Sequence, residues 1–329
     1  MKRQGHLIEK IADIENLQLA YYKAQKGKSA KPAVYEYGKR LSENLQQLQQ
    51  QLLIGEVEVG NYHYFTIYDP KKRLICAAPF PQRVLHHALM NVCHPYFERV
   101  QIFDSYASRI GKGTYAALER ARYFNHNYRW FLKLDFRKYF NSIDHFILKK
   151  QLCRIFKDSR LLNILAGIID SYAINPGKGV PIGNLTSQYF ANHYLACLDH
   201  YVKEILKIQA YDRYMDDMVL WHPDKNYLVH AGKCLNQYAE QQLALTLKPF
   251  CLNHHSRGLP FLGYLVYPDQ VRLAHRSRIR FIRKLRLYEN NLLTGIWGQK
   301  EYQNHIIPLI AFTEKANARE FRKNIITGL

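Results

Sequence analysis

The sequence predicts an α+β chain in which short antiparallel hairpins lie between helical terminal regions. Three observations carry that expectation. Residues 1 to 60, and the stretch beyond Val271, hold apolar residues at helical spacing. The middle of the chain holds short apolar and aromatic runs bounded by turn residues. Two of these runs, "RWFLKLDF" and "AYDRYMDDMVLWH", carry carboxylates inside what otherwise reads as core strand, where an unpartnered charge is costly.

In chain order, Leu41, Leu45, Leu48 and Leu52 recur at helical spacing in a Gln-rich segment. Two heptads suit a packed helix better than a coiled coil. "YHYFTIYDPKKRLICAAPF" reads as two strands joined by "DPKK", a turn bearing Lys71, Lys72 and Arg73. In "RWFLKLDF", Leu132 and Leu134 share one face and Phe131, Lys133 and Asp135 the other. A helix begins near Asp144, its N-cap, with Ile147, Leu148, Leu152 and Ile155 on the buried face. "NPGKGVPIGN" is a turn-rich loop from Asn175 to Asn184. One long helix follows, marked by Phe190, Tyr194, Leu198 and Val202. "GLPFLGYLVYP" is a further hairpin. The remainder is helical and basic, with Arg276, Arg278, Arg280, Arg283, Lys284 and Arg286 interleaved with Ile279, Ile282 and Leu285. One face of that helix is expected to pack and the other to follow a nucleic-acid backbone.

Composition narrows the partners. The 329 residues carry a formal net charge of +20, and 47% are hydrophobic, which fits a folded chain with a polyanionic partner. The six cysteines form no CxxC pair and no finger spacing with histidine. Reduced, mostly packing thiols are expected, with no structural zinc, in a cytoplasmic protein. The N-terminus lacks a signal-peptide core, and no apolar run approaches the length of a membrane span.

Asp216 and Asp217 are adjacent, and neighbouring strand residues point to opposite faces. A hairpin tip breaks that alternation and lets both reach one centre. With Asp135 at the end of another strand, three carboxylates converge if the strands are neighbours. Such a cluster repels itself unless cations neutralise it. Two divalent ions would do so and would suit nucleotidyl transfer. The plainer alternative is a polar turn.

The residues Tyr214-Met215-Asp216-Asp217 resemble the catalytic box of reverse transcriptases, and "FLKLDFRKYFNSIDH" resembles their other aspartate motif. The resemblance continues in order. "PKKRLICAAPFPQRVLHHAL" is similar to the fingers motif, and "SYASRIGKGTYAAL" to the segment linking fingers to palm. "GVPIGNLTSQYFANHYL" is similar to the motif under template and nucleotide, and "GLPFLGYLV" to the primer grip. The resemblance implies a right-hand polymerase with helical and hairpin fingers, an antiparallel-sheet palm backed by helices, and a helical thumb. It divides the chain into N-terminal helices and fingers at 1–128, palm at 129–265 and basic thumb at 266–329.

The same resemblance implies roles. Asp135, Asp216 and Asp217 are catalytic and, with Phe136, form the metal set for two Mg²⁺ ions, replaceable by Mn²⁺. Lys71, Arg73, Phe140, Ile182 and Gln188 contact the nucleotide, with Phe140 as the steric gate and Arg73 on the triphosphate. Leu262, Gly263 and Tyr264 grip the primer. Arg276, Arg278, Arg280, Arg283 and Lys284 follow the duplex backbone. Lys248, in "LTLKPF", reads as a surface lysine, the alternative being protonation of pyrophosphate.

Group II intron and retron enzymes usually read Pro-Gln-Gly followed three residues later by Ser-Pro. Here Pro181-Ile182-Gly183 precedes Ser187-Gln188. That pattern, with "DSYASRIGKGT" and a chain ending soon after a thumb-sized region, resembles the enzymes of diversity-generating retroelements. It implies error-prone copying of a template-repeat RNA into cDNA at adenines, with dNTPs, the RNA–cDNA hybrid and a basic pentameric accessory protein as partners and no membrane. The alternatives are a retron-like or antiphage-defence reverse transcriptase, and a catalytically silent RNA-binding scaffold.

Overall fold

The computed structural model describes residues 3–68 and 72–326. The chain forms two compact units. The first comprises Met1–Phe103, Phe136–Tyr201 and Leu235–Leu247, and the second Asp104–Asp135, Val202–Cys234 and Lys248–Leu329. The strands are β1 (His63–Ile67), β2 (Arg73–Ala77), β3 (Trp130–Leu134), β4 (Tyr211–Tyr214), β5 (Asp217–His222), β6 (Cys251–His254), β7 (Leu259–Phe261), β8 (Tyr264–Val266) and β9 (Val271–Leu273).

The first unit is helical apart from the antiparallel β1–β2 hairpin. Helix Ile14–Gln25 starts at Asp13, whose carboxylate accepts from the Glu15 and Asn16 amides, and it packs on helix Phe80–Glu98. Helix Leu41–Ile54 buries Leu45, Leu48 and Leu52 and ends at Gly55, where φ is 89°. Asp144 caps helix His145–Ile155 as the sequence predicts, accepting from the Ile147 amide at 3.1 Å. Lys71, between β1 and β2 in the sequence, lies outside the described residues.

One expectation changes here. Phe190, Tyr194, Leu198 and Val202 are all buried, yet no single long helix carries them. The chain forms Leu185–Tyr194, then Ala196–His200, then a wider π turn at Tyr201–Ile205. Within the first unit the Tyr194 hydroxyl donates to the Leu243 carbonyl (2.6 Å), which fixes the chain where the first piece ends. The extra residue of a π turn then keeps later apolar side chains inward.

The second unit holds a four-stranded antiparallel sheet in the order β4-β5-β3-β6 and a three-stranded sheet β7-β8-β9. Leu132 pairs with Leu220, and Leu134 with Met218. Helix Thr114–Asn127 packs Leu118, Ala121 and Phe124 into a core shared with Phe131, Val219, Trp221 and Tyr264. Buried Asn125 joins helix, sheet and hairpin. Its Oδ1 accepts from the Trp221 indole (3.2 Å), and its amide donates to the Val266 carbonyl (2.9 Å). Strand β6 has the short sequence "CLNH", which carries too little strand signal to be read in advance.

Helices His275–Leu293, Gln299–Glu314 and Arg319–Ile326 follow. In the first, Leu285 and Ile282 of the expected face pack inward, but Ile279 does not. Ser277, Phe281 and Leu285 are buried, whereas Ile279 is 53% exposed. Phe281 and Leu285 meet Ile306 and Phe321 there, and bulky ring contacts outweigh one β-branched side chain in setting the register. All six cysteines are free, with Cys76 and Cys93 buried but Cys153 and Cys251 exposed, so packing accounts for fewer than expected. No helix among the described residues is long and apolar enough to cross a membrane.

Asp158 ties the first helices to helix Ser159–Asp170. Its carboxylate accepts from the Leu7 (2.9 Å), Ile8 (3.1 Å) and Leu161 (3.3 Å) amides. Burial pushes its pKa up, but those three donors and Arg160 outweigh burial and hold it below the usual value. A depressed folded pKa contributes stability above the unfolded carboxylate pKa and loses it as pH falls through the folded value. Asp158→Ala should therefore lower unfolding free energy by about 2 kcal/mol at pH 7. Urea titrations at neutral and strongly acidic pH should show the difference shrinking in acid.

Candidate active site

The carboxylates expected to act together all fall in the second unit. Tyr214 pairs with Asp217, so β4 and β5 are joined by a two-residue loop, Met215-Asp216. Asp217 is the first residue of β5. Met215 has φ of 58°, a value that favours glycine at this position of a hairpin turn. Asp135 directly follows β3. Continuing the pairing of Leu134 with Met218 sets Asp135 opposite Asp217. Adjacent antiparallel strands thus bring all three aspartates to one end of the sheet.

Two lysines pair with two of these carboxylates. Lys133 Nζ lies 2.8 Å from Asp217 Oδ1 and donates to its Oδ2 at 2.9 Å. It also donates to the Pro260 carbonyl at 2.7 Å, which links Asp217 to β7. Lys248 Nζ binds Asp135 Oδ2, and the Lys248 amide donates to the Asp135 carbonyl at 2.9 Å. Lys248 is therefore more than the surface lysine expected from sequence. Burial pushes the Asp217 pKa up, Lys133 opposes this, and the charges of Asp135 and Asp216 add to the rise. As the side chains stand, no three His, Cys, Asp or Glu among the described residues are grouped to hold a metal ion. The donor set nevertheless fits a hard divalent cation. It supplies carboxylate oxygens only, and their mutual repulsion is what such an ion relieves.

Behind the sheet lies a charge network that sequence reasoning missed. Asp104 accepts from Arg120 Nε and Lys203 Nζ, both at 2.8 Å. Asp212, on β4, is fully buried, and neither of its carboxylate oxygens has a hydrogen-bond partner. Burial, with Asp104 and Asp217 nearby, pushes its pKa well up and favours the neutral acid. Arg213, beside it, is fully buried as well. The only sequence signal is "YDRY", two charges in an apolar strand.

The primer-grip candidates sit at the β7–β8 turn. Leu262 and Gly263 have φ of 49° and 91°, the paired positive values of a tight hairpin. Gly263 is packed closely, since a Cβ there would meet Ser277 Oγ at 3.0 Å and Phe312 at 3.1 Å. The Ser277 hydroxyl donates to the Gly263 carbonyl (2.7 Å), and the Tyr264 hydroxyl to the Phe312 carbonyl (2.7 Å). Among the basic candidates, Arg276 and Arg283 are exposed. Arg278 lies over Phe321 and Arg280 over Phe312, so packing occupies part of both side chains. Lys284 and Arg280 line a cavity of about 350 Å³.

The nucleotide-contact candidates fall in the first unit, where the backbone joins several of them. The Phe140 carbonyl accepts from the Val180 amide (2.8 Å), and the Ile182 carbonyl from the Cys76 amide (2.8 Å) of β2. Arg73 opens β2 and is exposed, as is Gln188. Ile182 and Phe140 are half-buried. Phe136 is buried, 1% exposed, and stacks on Tyr139. Gly183 has φ of 123°, and a Cβ there would come within 2.8 Å of Ile75.

A basic cavity of about 720 Å³ adjoins this loop, lined by Lys28, Lys31, Arg83, Asn184 and Gln188. Among the described residues, no acidic side chain lines it. Burial lowers the Lys28 pKa, and repulsion from Arg83 and Lys31 adds to the effect. Asn184 is 3% exposed; its Oδ1 accepts from the Ala78 amide, while its amide nitrogen has no acceptor. The one sequence signal for this cavity is the basic run "KAQKGKSAKP", to which pattern and spacing alone assign no role.

The chain is 20% identical over 220 residues to the protein named for COX1/OXI3 intron 1 of Saccharomyces cerevisiae, a match covering 62% of this chain and 26% of that protein. It is 25% identical over 178 residues to Protein YkfC of Escherichia coli, covering 50% of this chain and 47% of the relative. The chain thus spans less than half the length of either. Its fold is similar to telomerase from Candida albicans, solved with a fragment of telomeric RNA, at TM-score 0.52 and 11% identity over 73% of this chain and 52% of that one. It is also similar to telomerase from Candida tropicalis lacking its C-terminal domain, at TM-score 0.51 and 12% identity over 66% and 56% of the two chains. The fold is the right-hand polymerase type that the sequence predicts. A family model described as reverse transcriptase (RNA-dependent DNA polymerase) matches residues 69–266, and the chain belongs to that family.

Proposed function

We propose that this protein is an RNA-directed DNA polymerase whose catalytic residues are Asp135, Asp216 and Asp217. The observation that carries this reading is the register of β3 and β5, which sets Asp135 opposite Asp217 and next to the Met215-Asp216 turn. Reverse transcriptase domains use divalent metal ions. Here the three aspartates, with the Phe136 backbone, would hold two Mg²⁺, and Mn²⁺ would also suit these oxygen donors. When bound, the ions would activate the primer 3′-hydroxyl and stabilise the leaving pyrophosphate. Lys133 and Lys248 pair with Asp217 and Asp135 before substrate arrives. In the same reading, Lys71 and Arg73 contact the triphosphate, and Phe140 bars a ribose 2′-hydroxyl. The turn at Leu262, Gly263 and Tyr264 grips the primer, and the basic helices from residue 266 form the thumb.

RNA is the proposed template. The formal charge of +20 and the basic cavity around Lys28, Lys31 and Arg83 suit phosphodiester contacts. Asp216→Ala or Asp217→Ala should abolish primer extension while leaving RNA affinity within about threefold, because binding rests on many basic contacts. Gel-shift and extension assays on the same preparations check this. Extension near the wild-type rate in either variant would refute the catalytic assignment, and failure of the wild-type protein to extend would favour a silent RNA-binding scaffold.

Within that activity we assign the protein to mutagenic copying in a diversity-generating retroelement. The support is Ile182 and Gln188, at positions where the resembled group II intron and retron enzymes usually carry Gln and Pro. An apolar side chain offers shape without a hydrogen bond, and such sites discriminate weakly. The implied partners are a template-repeat RNA, dNTPs and a basic pentameric accessory protein, in the cytoplasm. Sequencing cDNA made on the RNA encoded beside the gene tests this, because a retron-like enzyme would show no excess of errors at adenine. Ile182→Gln should lower errors opposite adenine more than opposite other bases, by about 1–2 kcal/mol or roughly five- to thirty-fold. An unchanged adenine error rate with activity retained would mean that Ile182 only packs.

A further inference from the structure

The two-residue loop between β4 and β5 contains a conformation that its sequence does not favour. Met215 takes φ of 58° at the first loop position. A residue with a Cβ pays for that geometry, and it persists only when neighbouring groups impose it. The Met215 carbonyl orients the peptide plane leading into Asp216. Whatever holds this carbonyl therefore sets the direction from which Asp216 reaches the cluster.

The group that holds it is Arg213. Its Nη1 donates to the Met215 carbonyl at 2.9 Å. Arg213 is among the largest fully buried side chains in the protein, an unusual setting for a guanidinium. Its backbone is fixed on both sides. On β5 it pairs with Met218. At the outer edge of β4, its amide donates to the Asp104 carbonyl (2.9 Å) and its carbonyl accepts from the Tyr106 amide (2.9 Å). The 104–106 segment is itself anchored through the Asp104 carboxylate, by Arg120 and Lys203. Tyr214 is held too, since its hydroxyl accepts from Thr114 Oγ1 at 3.2 Å. The chain on the β4 side of the loop is therefore rigid, and Arg213 transmits that rigidity to the loop carbonyl.

We propose that Arg213 is a positioning residue for nucleotide addition, holding the strained Met215 peptide so that Asp216 and Asp217 face one centre. The inference rests on the polymerase reading of those aspartates. A charge-assisted hydrogen bond in a buried site is strong enough to offset the backbone strain. Arginine suits the task because its planar fork stays charged when buried, whereas a lysine ammonium is a point donor on a flexible stem.

The test combines Arg213→Met and Arg213→Lys with Met215→Gly, a change to a residue that takes a positive φ without strain. Single-turnover addition rates, dNTP KM, Mn²⁺ affinity by electron paramagnetic resonance, and unfolding temperature are measured for each. Arg213→Met should slow addition about ten- to hundredfold, with dNTP KM within about threefold, and should weaken Mn²⁺ binding. Arg213→Lys should recover part of the rate. In the Met215→Gly background, the same Arg213→Met change should cost less than about fivefold. Equal losses in both backgrounds, or a loss confined to KM, would overturn the proposal and leave Arg213 as packing. If Arg213→Met does not fold, Arg213→Lys with and without Met215→Gly carries the same comparison. A wild-type enzyme that binds Mn²⁺ but adds no nucleotide would defeat the polymerase reading instead, and the Mn²⁺ affinities would still decide whether Arg213 positions the loop.

Discussion

Three carboxylates at one end of a small antiparallel sheet repel one another, and much of the second unit serves to keep them there. The sheet supplies the geometry. β3 pairs with β5, β5 returns to β4 through two residues, and Asp135 ends opposite Asp217. Lysines supply the countercharge, Lys133 at Asp217 and Lys248 at Asp135. Neither replaces a carboxylate-bound cation outright, because each is tethered through a flexible stem. The result is a carboxylate cluster held by ammonium groups at Asp217 and Asp135.

Strain and burial are concentrated in the same place. Met215 carries a positive φ, Asp212 is buried with no hydrogen-bond partner, and Arg213 is a buried cation. Each alone is unfavourable in a core strand. Together they surround the two-residue loop that presents Asp216. A protein selected only for stability would replace them with apolar residues, since buried ionic groups often stabilise less than well-packed hydrophobic ones. All three lie in β4 or the loop that follows it. In the first unit the corresponding feature is a cavity lined with cations and one unsatisfied amide, beside the loop that carries Ile182.

Much of this is legible in the sequence, for physical reasons that vary by element. The β1–β2 hairpin, β3, the carboxylate hairpin and the N-cap at Asp144 follow from period-two patterning and turn or cap residues, which are local signals. The pairing of β3 with β5 follows from chemistry, because only neighbouring strands make use of Asp135 beside Asp216. What escapes is set by tertiary contacts. β6 is short and polar, so only its pairing defines it. The inward face of helix His275–Leu293 is fixed by Phe281 and Leu285 against partners far along the chain, which is why spacing alone turns Ile279 the wrong way. The long helix expected after Asn184 breaks near Tyr194, whose side-chain hydrogen bond no periodicity reveals. Alternation places Lys133 on the face of Asp135, but its bond to Asp217 depends on β5. Lys248 is distant in sequence from Asp135, so their pairing leaves no signal.

The claim at the centre of this account is that Asp135, Asp216 and Asp217 form a single cation centre whose charge Lys133 and Lys248 offset in part. Calorimetric titration of Mn²⁺ into the wild-type protein, Asp135→Asn and Asp217→Asn tests it most directly, without substrate or turnover. The account predicts saturable binding in the wild type and a loss of at least about tenfold in affinity in each variant, since either change removes a ligand and a charge. Equal Mn²⁺ affinity in all three proteins would contradict it, and would mean that the carboxylates are partners of the lysines alone.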